Sequence, residues 1–529
     1  MEKINGKTIL IVIIWFLIIV LLFYTRFINL NWGLPYPMHP DERNMANAVQ
    51  SLNCNIKYQI SNIKNCFNPH FFAYGQLPLY LGYLLTWVFK GYRNFGSLVI
   101  TLEEAVISLR MISAIASIIN VFVLMKIVNL ISKKNQSHYM ILILIFSPFF
   151  IQFSHFGTTE SLLMLFYSLI IYFSMRLIAR RTTYEVVWLA LVSGLAVATK
   201  VSSILFIIVP LTAILSSLRS WDRYKNLFKF GLLAGTFMII FSPHNFINFQ
   251  DFVGAMRYES DVALGRVLVF YTRQFVETVA IWFQLTKIFP YVLGWPLYIF
   301  GILGFLRLSW KDEKINLLRF AFLIYFIPSA FLYAKWSRFM APVFPLMTVF
   351  AILFMQNFII QLNRKFWIPA FAGMTLILII PGISYLSVYQ NPDVRFQASE
   401  WIYKNIPNNS YILSETANVV DIPIANGSNN YNVISFNFYD LDESQELQSE
   451  LKKHIEKADY IFVPSRRIFA NHPKDKYPLL SNYYDKLFSG KLGFIKVAEF
   501  SSGLNDEKAE ETWTVFDHPV IRIYKKVKS

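Results

Sequence analysis

Thr8-Ile9-Leu10-Ile11-Val12-Ile13-Ile14-Trp15-Phe16-Leu17-Ile18-Ile19-Val20-Leu21-Leu22-Phe23-Tyr24 runs for a full span's length without a charge, with Lys3 and Lys7 before it and Arg26 after it. As a helix it covers most of a hydrocarbon core about 30 Å thick. No small-residue cleavage site follows: Tyr24-Thr25-Arg26-Phe27 is the wrong chemistry for one. The stretch therefore reads as a retained first transmembrane helix with a cytoplasmic N-terminus. The rest of the chain agrees. Of 529 residues, 55% are hydrophobic and only 16% charged, against about a quarter charged in an average soluble protein. That excludes a soluble enzyme of ordinary composition, a disordered chain and a coiled coil.

Working outward by hydrophobic length, ten further spans fall at about 105–131, 138–153, 161–178, 185–199, 201–218, 228–247, 288–306, 316–333, 339–360 and 366–388. Eleven spans put the two ends on opposite sides. The inside loops then hold Lys133-Lys134, Arg176/Arg180/Arg181, Arg219/Arg223/Lys225/Lys229, Arg307/Lys311/Lys314 and Arg364-Lys365, so every short inside loop is basic. Phe71–Phe89 is apolar but broken by Gly75, Pro78 and Gly82, and is expected as a helix on the outer interface. The expected fold is mainly α: a polytopic bundle of about eleven transmembrane helices, residues 1–388, with a first outer loop at about 26–104. An extracytoplasmic α/β domain, 389–529, follows. That tail alternates β-like runs (Tyr411–Leu413, Tyr460–Val463, Ile495–Phe500, Val520–Tyr524) with helical stretches such as Glu443–Lys457.

The net charge of +16 sits in the membrane part. Residues 389–529 carry 17 Lys+Arg and 19 Asp+Glu, and residues 1–388 the remaining 32 and 14. The excess reads as cytoplasmic anchoring and anion handling, and nucleic acid is not an expected partner. The two cysteines, Cys54 and Cys66, exclude a disulfide scaffold and a four-cysteine metal site. They share one outer loop and either pair or stay as two thiols. Asn408-Asn409-Ser410 and Asn426-Gly427-Ser428 are sequons, relevant only where glycosylation machinery exists. Gly231-Leu232-Leu233-Ala234-Gly235 has the spacing of close helix packing and offers a homodimer face.

Chemistry concentrates on the outer side. His39-Pro40-Asp41-Glu42 follows the first span directly. Adjacent acids at a membrane surface must be solvated, paired or used. The plain alternative is a helix start, since Pro suits the first turn and acids suit the N-terminus. Glu160 is the acid of a very short outside loop, Ser154-His155-Phe156-Gly157-Thr158-Thr159-Glu160, and could equally be a solvated loop charge. Lys200, Lys335 and Arg338 break the rule that short outside loops lack cations. They either snorkel to headgroups or clamp a phosphate. Acids and cations on one outer face suggest transfer from a lipid-phosphate donor to a polar acceptor. A carboxylate would take the acceptor's proton and a cation would hold the departing phosphate. His39, His155 and Glu259 are further candidates for lining the site, His155 being as well explained by a structural role. Asp517-His518-Pro519 has no nucleophile or metal spacing beside it and reads as a turn between the last two strands.

His39-Pro40-Asp41-Glu42 resembles the signature of the C-superfamily (GT-C) membrane glycosyltransferases, in particular family 39, which is similar to protein O-mannosyltransferases and lipid A aminoarabinose transferases. Leu109-Arg110-Met111-Ile112-Ser113-Ala114, Gly194–Lys200, Arg338–Pro345 and Glu511–Pro519 resemble further family stretches. The resemblance implies a sugar donor on a polyprenyl phosphate, single-displacement inversion, and an acceptor that is a protein, a glycan or another lipid. It implies Asp41 as general base, Glu42 as the residue that assists or positions it, and Glu160 as a second acid where the family often has Asp. Lys200 and Arg338 would hold the phosphate, with Lys335 beside them. No cofactor is demanded: no ligand cluster calls for a metal, although wider relatives use a divalent one. A flippase of lipid-linked saccharides would also want acids and cations, but at mid-bilayer on broken, repeated helices. A scaffold whose tail recruits partners gives no reason for Asp41-Glu42.

Overall fold

The computed structural model describes residues 6–52, 65–91, 99–132, 140–217, 220–361, 367–416, 421–424 and 430–527. Lys133, Lys134, Arg219, Arg364, Lys365, Cys54 and Asn426 lie outside the described residues. Each of the eleven expected spans falls on helical structure. By length and hydropathy, five described helices can cross a membrane singly: Ile9–Phe27, Leu102–Ser132, Glu160–Arg180, Ser337–Ile359 and Ala372–Gln390. A sixth is the pair Gln284–Val292 and Trp295–Arg307, bent by 116°.

The breaks have local causes. Between the bent pair, Gly294 takes φ 78°, and Pro follows in the first turn of the next helix. The expected span 138–153 divides into Ile141–Ile145 and Pro148–Ser154, with Pro148 opening the second piece. The span expected at 201–218 starts as a tight 3-10 segment, Val201–Ile207, before Ile208–Ser217. Tyr184–Thr199 is apolar but only 16 residues long.

The stretch after the first span supplies two helices. Pro40–Ser51 starts as its sequence dictates: His39 caps it, Pro40 occupies the first turn, and Asp41 and Glu42 follow. Leu77–Lys90, the expected interfacial helix, buries Leu79 and Tyr83 in a cluster with Met45, Val49 and Leu109. Cys66 is disulfide-bonded, and the sequence's other cysteine is Cys54.

The tail holds a five-stranded sheet in the order β2-β1-β3-β5-β4. β1 (Tyr411–Glu415) runs parallel to β2 (Asn432–Phe436) and β3 (Tyr460–Val463); β5 (Ile521–Lys526) is antiparallel to β3 and β4 (Phe494–Phe500). All four expected β-like runs are strands, and Gln445–Lys457 is the expected helix. β2 was not anticipated: its burial is largely exposed and it carries no clean alternation. The tail is less separate than its composition suggests. Ala509, Trp513, Val515 and Phe516 belong to the same apolar core as the membrane helices. Trp513, 1% exposed, is among the largest fully buried side chains of the protein.

Candidate active site at the junction of helices and tail

The helix start at Pro40 aims two consecutive acids in opposite directions. Glu42 points inward and is sealed. Arg110 grips both its oxygens, Nε and Nη2 each at 2.7 Å, and the Gly157 N–H donates to Oε1 at 2.7 Å. Arg110 is itself saturated: Nη1 donates to the carbonyls of Leu30 and Trp32, and its guanidinium lies 4.3 Å from the Trp32 ring centroid. Both side chains are 0% exposed. Gly157 cannot be replaced cheaply, because a Cβ there would sit 2.7 Å from Leu109 Cβ and 3.0 Å from Glu42 Oε1. Glu42, expected to assist or position Asp41, is sealed against Arg110 on the turn that carries Asp41.

Asp41 faces a cavity of about 400 Å³ and pairs with Arg338. Both side chains keep some exposure, 19% and 17%. Arg338 is supported by Trp336, whose ring centroid lies 4.6 Å from the guanidinium carbon. Tyr74, Tyr258, Tyr271 and Trp336 give the cavity aromatic walls, and Glu259 stands at its exposed side. Such walls suit the apolar faces of a sugar. The tail closes the cavity with Arg467, Glu511, Thr512 and Phe516.

Glu160 and Lys200 meet each other 3.9 Å apart, both largely buried. Lys200 lies near the rings of Tyr74 (4.9 Å) and Phe339 (5.3 Å), so it stands behind the cavity's aromatic wall. Lys335 departs from expectation. Its Nζ donates to the Tyr333 carbonyl at 3.1 Å, it is 4% exposed, and it does not line the cavity. His39 caps the helix through Nδ1 and is wedged between Phe156 and Phe516, 4.7 and 4.3 Å between centroids. Burial, with Arg338 and Arg110 adding to it, holds its imidazole well below the usual histidine range, so it stays neutral. His155 is structural: its ring nitrogens meet the carbonyls of Ile151 and Ile28 at 2.7 and 2.8 Å, and it stacks on Tyr389.

Asp517-His518 does lie in the turn before the last strand, yet it is a buried hub. Asp517 accepts from the hydroxyls of Tyr385 and Tyr389 at 2.8 and 2.7 Å, and His518 reaches Asp517 and Asp506 at 2.6 and 3.0 Å. It anchors the tail to the last membrane helix. A second anchor is Glu510, which accepts from the Ser337 N–H at 2.9 Å, one residue before Arg338. Arg110, Gly157, Arg467 and Glu510 were not singled out from sequence. Arg110 had a signal, being a lone charge in a long apolar run; Arg466-Arg467 in a charged domain had none. Among the described residues, no three His, Cys, Asp or Glu side chains converge as metal donors.

A carboxylate and a guanidinium thus meet at a cavity between membrane helices and a small α/β domain. Residues 95–247 match the dolichyl-phosphate-mannose-protein mannosyltransferase family, so the resemblance carried by the sequence holds. Among solved structures, ArnT from Cupriavidus metallidurans in the apo state is 12% identical with a TM-score of 0.52, over 98% of each chain. The Archaeoglobus fulgidus oligosaccharyltransferase in the apo form is 12% identical with a TM-score of 0.53, over 88% of this chain and 72% of that one. The same organism's AglB, with an inhibitory peptide and a dolichol-phosphate, gives 14% and 0.50 over 88% and 71%. At these identities the likeness is one of fold. No curated protein matches the chain.

Proposed function

We propose that the protein transfers a sugar from a polyprenyl-phosphate donor to an acceptor hydroxyl at the outer membrane face, inverting the anomeric centre in one displacement. Asp41 is the general base and Arg338 holds the donor phosphate. The observation that carries this reading is the Asp41–Arg338 pair, half-open in an aromatic-walled cavity. The pairing has a mechanistic use. A donor phosphate that takes hydrogen bonds from Arg338 releases Asp41 to accept the acceptor's proton. The oxygen so activated attacks the anomeric carbon. The bond to the phosphate oxygen breaks, and the developing charge is met by Arg338. Lys200, tied to Glu160 behind the wall, supplies a second positive charge. The dolichol-phosphate carried by the archaeal relative supports a lipid-phosphate ligand for this fold.

The test is direct. Purified protein is incubated with a panel of polyprenyl-phosphate sugars and a cell-envelope extract as the source of acceptor hydroxyls, and release of polyprenyl phosphate is followed. Release with at least one sugar, abolished in Asp41→Asn, is expected. No release with any donor, by protein that is folded and monodisperse, would reject the reading.

A further inference from the structure

Arg467 comes from the tail, just after β3, and lines the same cavity as Asp41 and Arg338. It is 6% exposed. Its Nε lies 3.0 Å from Glu511 Oε1, but Nη1 is buried with no hydrogen-bond partner among the described residues. Arg338 is in the same condition at Nε. The two guanidinium groups line one cavity. Glu510 and Glu511 offset part of their charge, but the oxygens of both acids are shared with neutral donors. Glu511 Oε2 accepts from Asn471 at 2.5 Å, and Glu510 accepts from the Ser337 and Thr512 N–H groups and from Gln274. Buried donors left open are costly, and like charges facing one cavity are costly again. Both costs vanish when a tetrahedral oxyanion sits between the two forks, since it offers several oxygens in different planes.

We propose that Arg467 and Arg338 form a two-guanidinium seat for a substrate phosphate, split between the tail and the membrane helices. This rests on the lipid-phosphate chemistry proposed above and adds a binding residue from the tail. The phosphate belongs either to the lipid donor or to a phosphorylated acceptor, and the chemistry of the seat is common to both.

Binding of undecaprenyl phosphate and of undecaprenol is measured on the full-length protein in detergent, with inorganic phosphate as competitor. The wild type, Arg467→Gln, Arg467→Lys and Arg338→Gln are compared. Loss of one charge-assisted contact weakens undecaprenyl phosphate binding about 10- to 100-fold in Arg467→Gln. Undecaprenol binding stays as in the wild type, and Arg467→Lys recovers part of the loss. If Arg467→Gln binds the lipid phosphate normally but loses competition by inorganic phosphate, the seat stands and its phosphate is the acceptor's. If neither changes, the seat is overturned. Equal loss of both lipids would also overturn it, because that marks a scaffold role. Weakening in Arg338→Gln alone, with inorganic-phosphate competition unchanged in Arg467→Gln, rejects this inference and leaves the proposed function intact. A wild type that does not prefer the phosphate over the alcohol rejects both.

Discussion

Asp41 and Glu42 are consecutive residues on one helical turn, each paired with an arginine, and the two pairs are opposites. Glu42–Arg110 is bidentate, fully buried, and closed by further donors and acceptors on every side. Asp41–Arg338 is single-pronged, partly exposed, and opens on a cavity. The first pair can be neither approached nor released, since breaking it leaves a bare charge in an apolar interior. The second can exchange partners with a ligand. In the proposed mechanism one acid is the mounting and its neighbour is the tool, and the separation is made by which side of the helix each faces.

The largest effect should come from disarming the open pair. Asp41→Asn keeps the helix start, because Asn also suits a helix N-terminus, but removes the proton acceptor. Turnover should fall about 100- to 10,000-fold with an unchanged unfolding midpoint. Near-normal turnover in a folded variant would dissolve the contrast.

Breaking the sealed pair should do the reverse. Arg110→Met strands the Glu42 carboxylate and should cost about 3–5 kcal/mol of stability. Thermal unfolding in detergent reads this, and the double variant Arg110→Met/Glu42→Gln should regain much of the loss. An Arg110→Met protein that folds normally but turns over slowly would mean that the sealed pair is catalytic after all.

Arg338→Gln should lower donor use about 10- to 100-fold, the worth of one charge-assisted contact. It should lower kcat as well as raise KM for the donor, because the guanidinium meets charge that develops as the phosphate leaves. The smallest effect belongs to a third pair, Asp517–His518, in which the cation can titrate. Burial alone would depress the imidazolium, but Asp506 and Asp517 outweigh it and push its pKa up to about 10. A group raised above its unfolded value of about 6.5 contributes fully below that pH and loses its contribution as pH climbs through 10. Tail docking, followed by limited proteolysis, should therefore weaken from pH 7 to 10 in the wild type. His518→Gln should be weaker at pH 7 and show a flatter profile.

The tail's strands and the helix start at Pro40 were legible because alternation and capping are local signals. Asp41, Glu160, Lys200 and Arg338 were legible as charges in places where apolar or uncharged residues are the rule. Which acid faces the cavity was not, since adjacent residues differ only by a rotation of about 100° on the helix. Lys335 misled for a similar reason: the Tyr333 carbonyl captures it two residues away. Several of the eleven spans come as short or broken helices because hydropathy ignores breaks such as Gly294 and Pro148. Arg467 was invisible because its importance depends on a contact between segments far apart in the chain.

That last distance has a consequence for how the protein is made. Asp41 finds Arg338 across 297 positions, and Gln152 finds Trp513 across 361. At about 5–20 residues per second, a nascent chain carries the Asp41 helix for roughly 20 to 100 seconds before Glu511 and Thr512 exist. Throughout that interval one wall of the cavity is missing. The wall arrives with Glu511, Thr512 and Phe516, so a chain that stops before them is born with an acid but no closed chamber. The order of synthesis thus makes closure of the site wait on the tail.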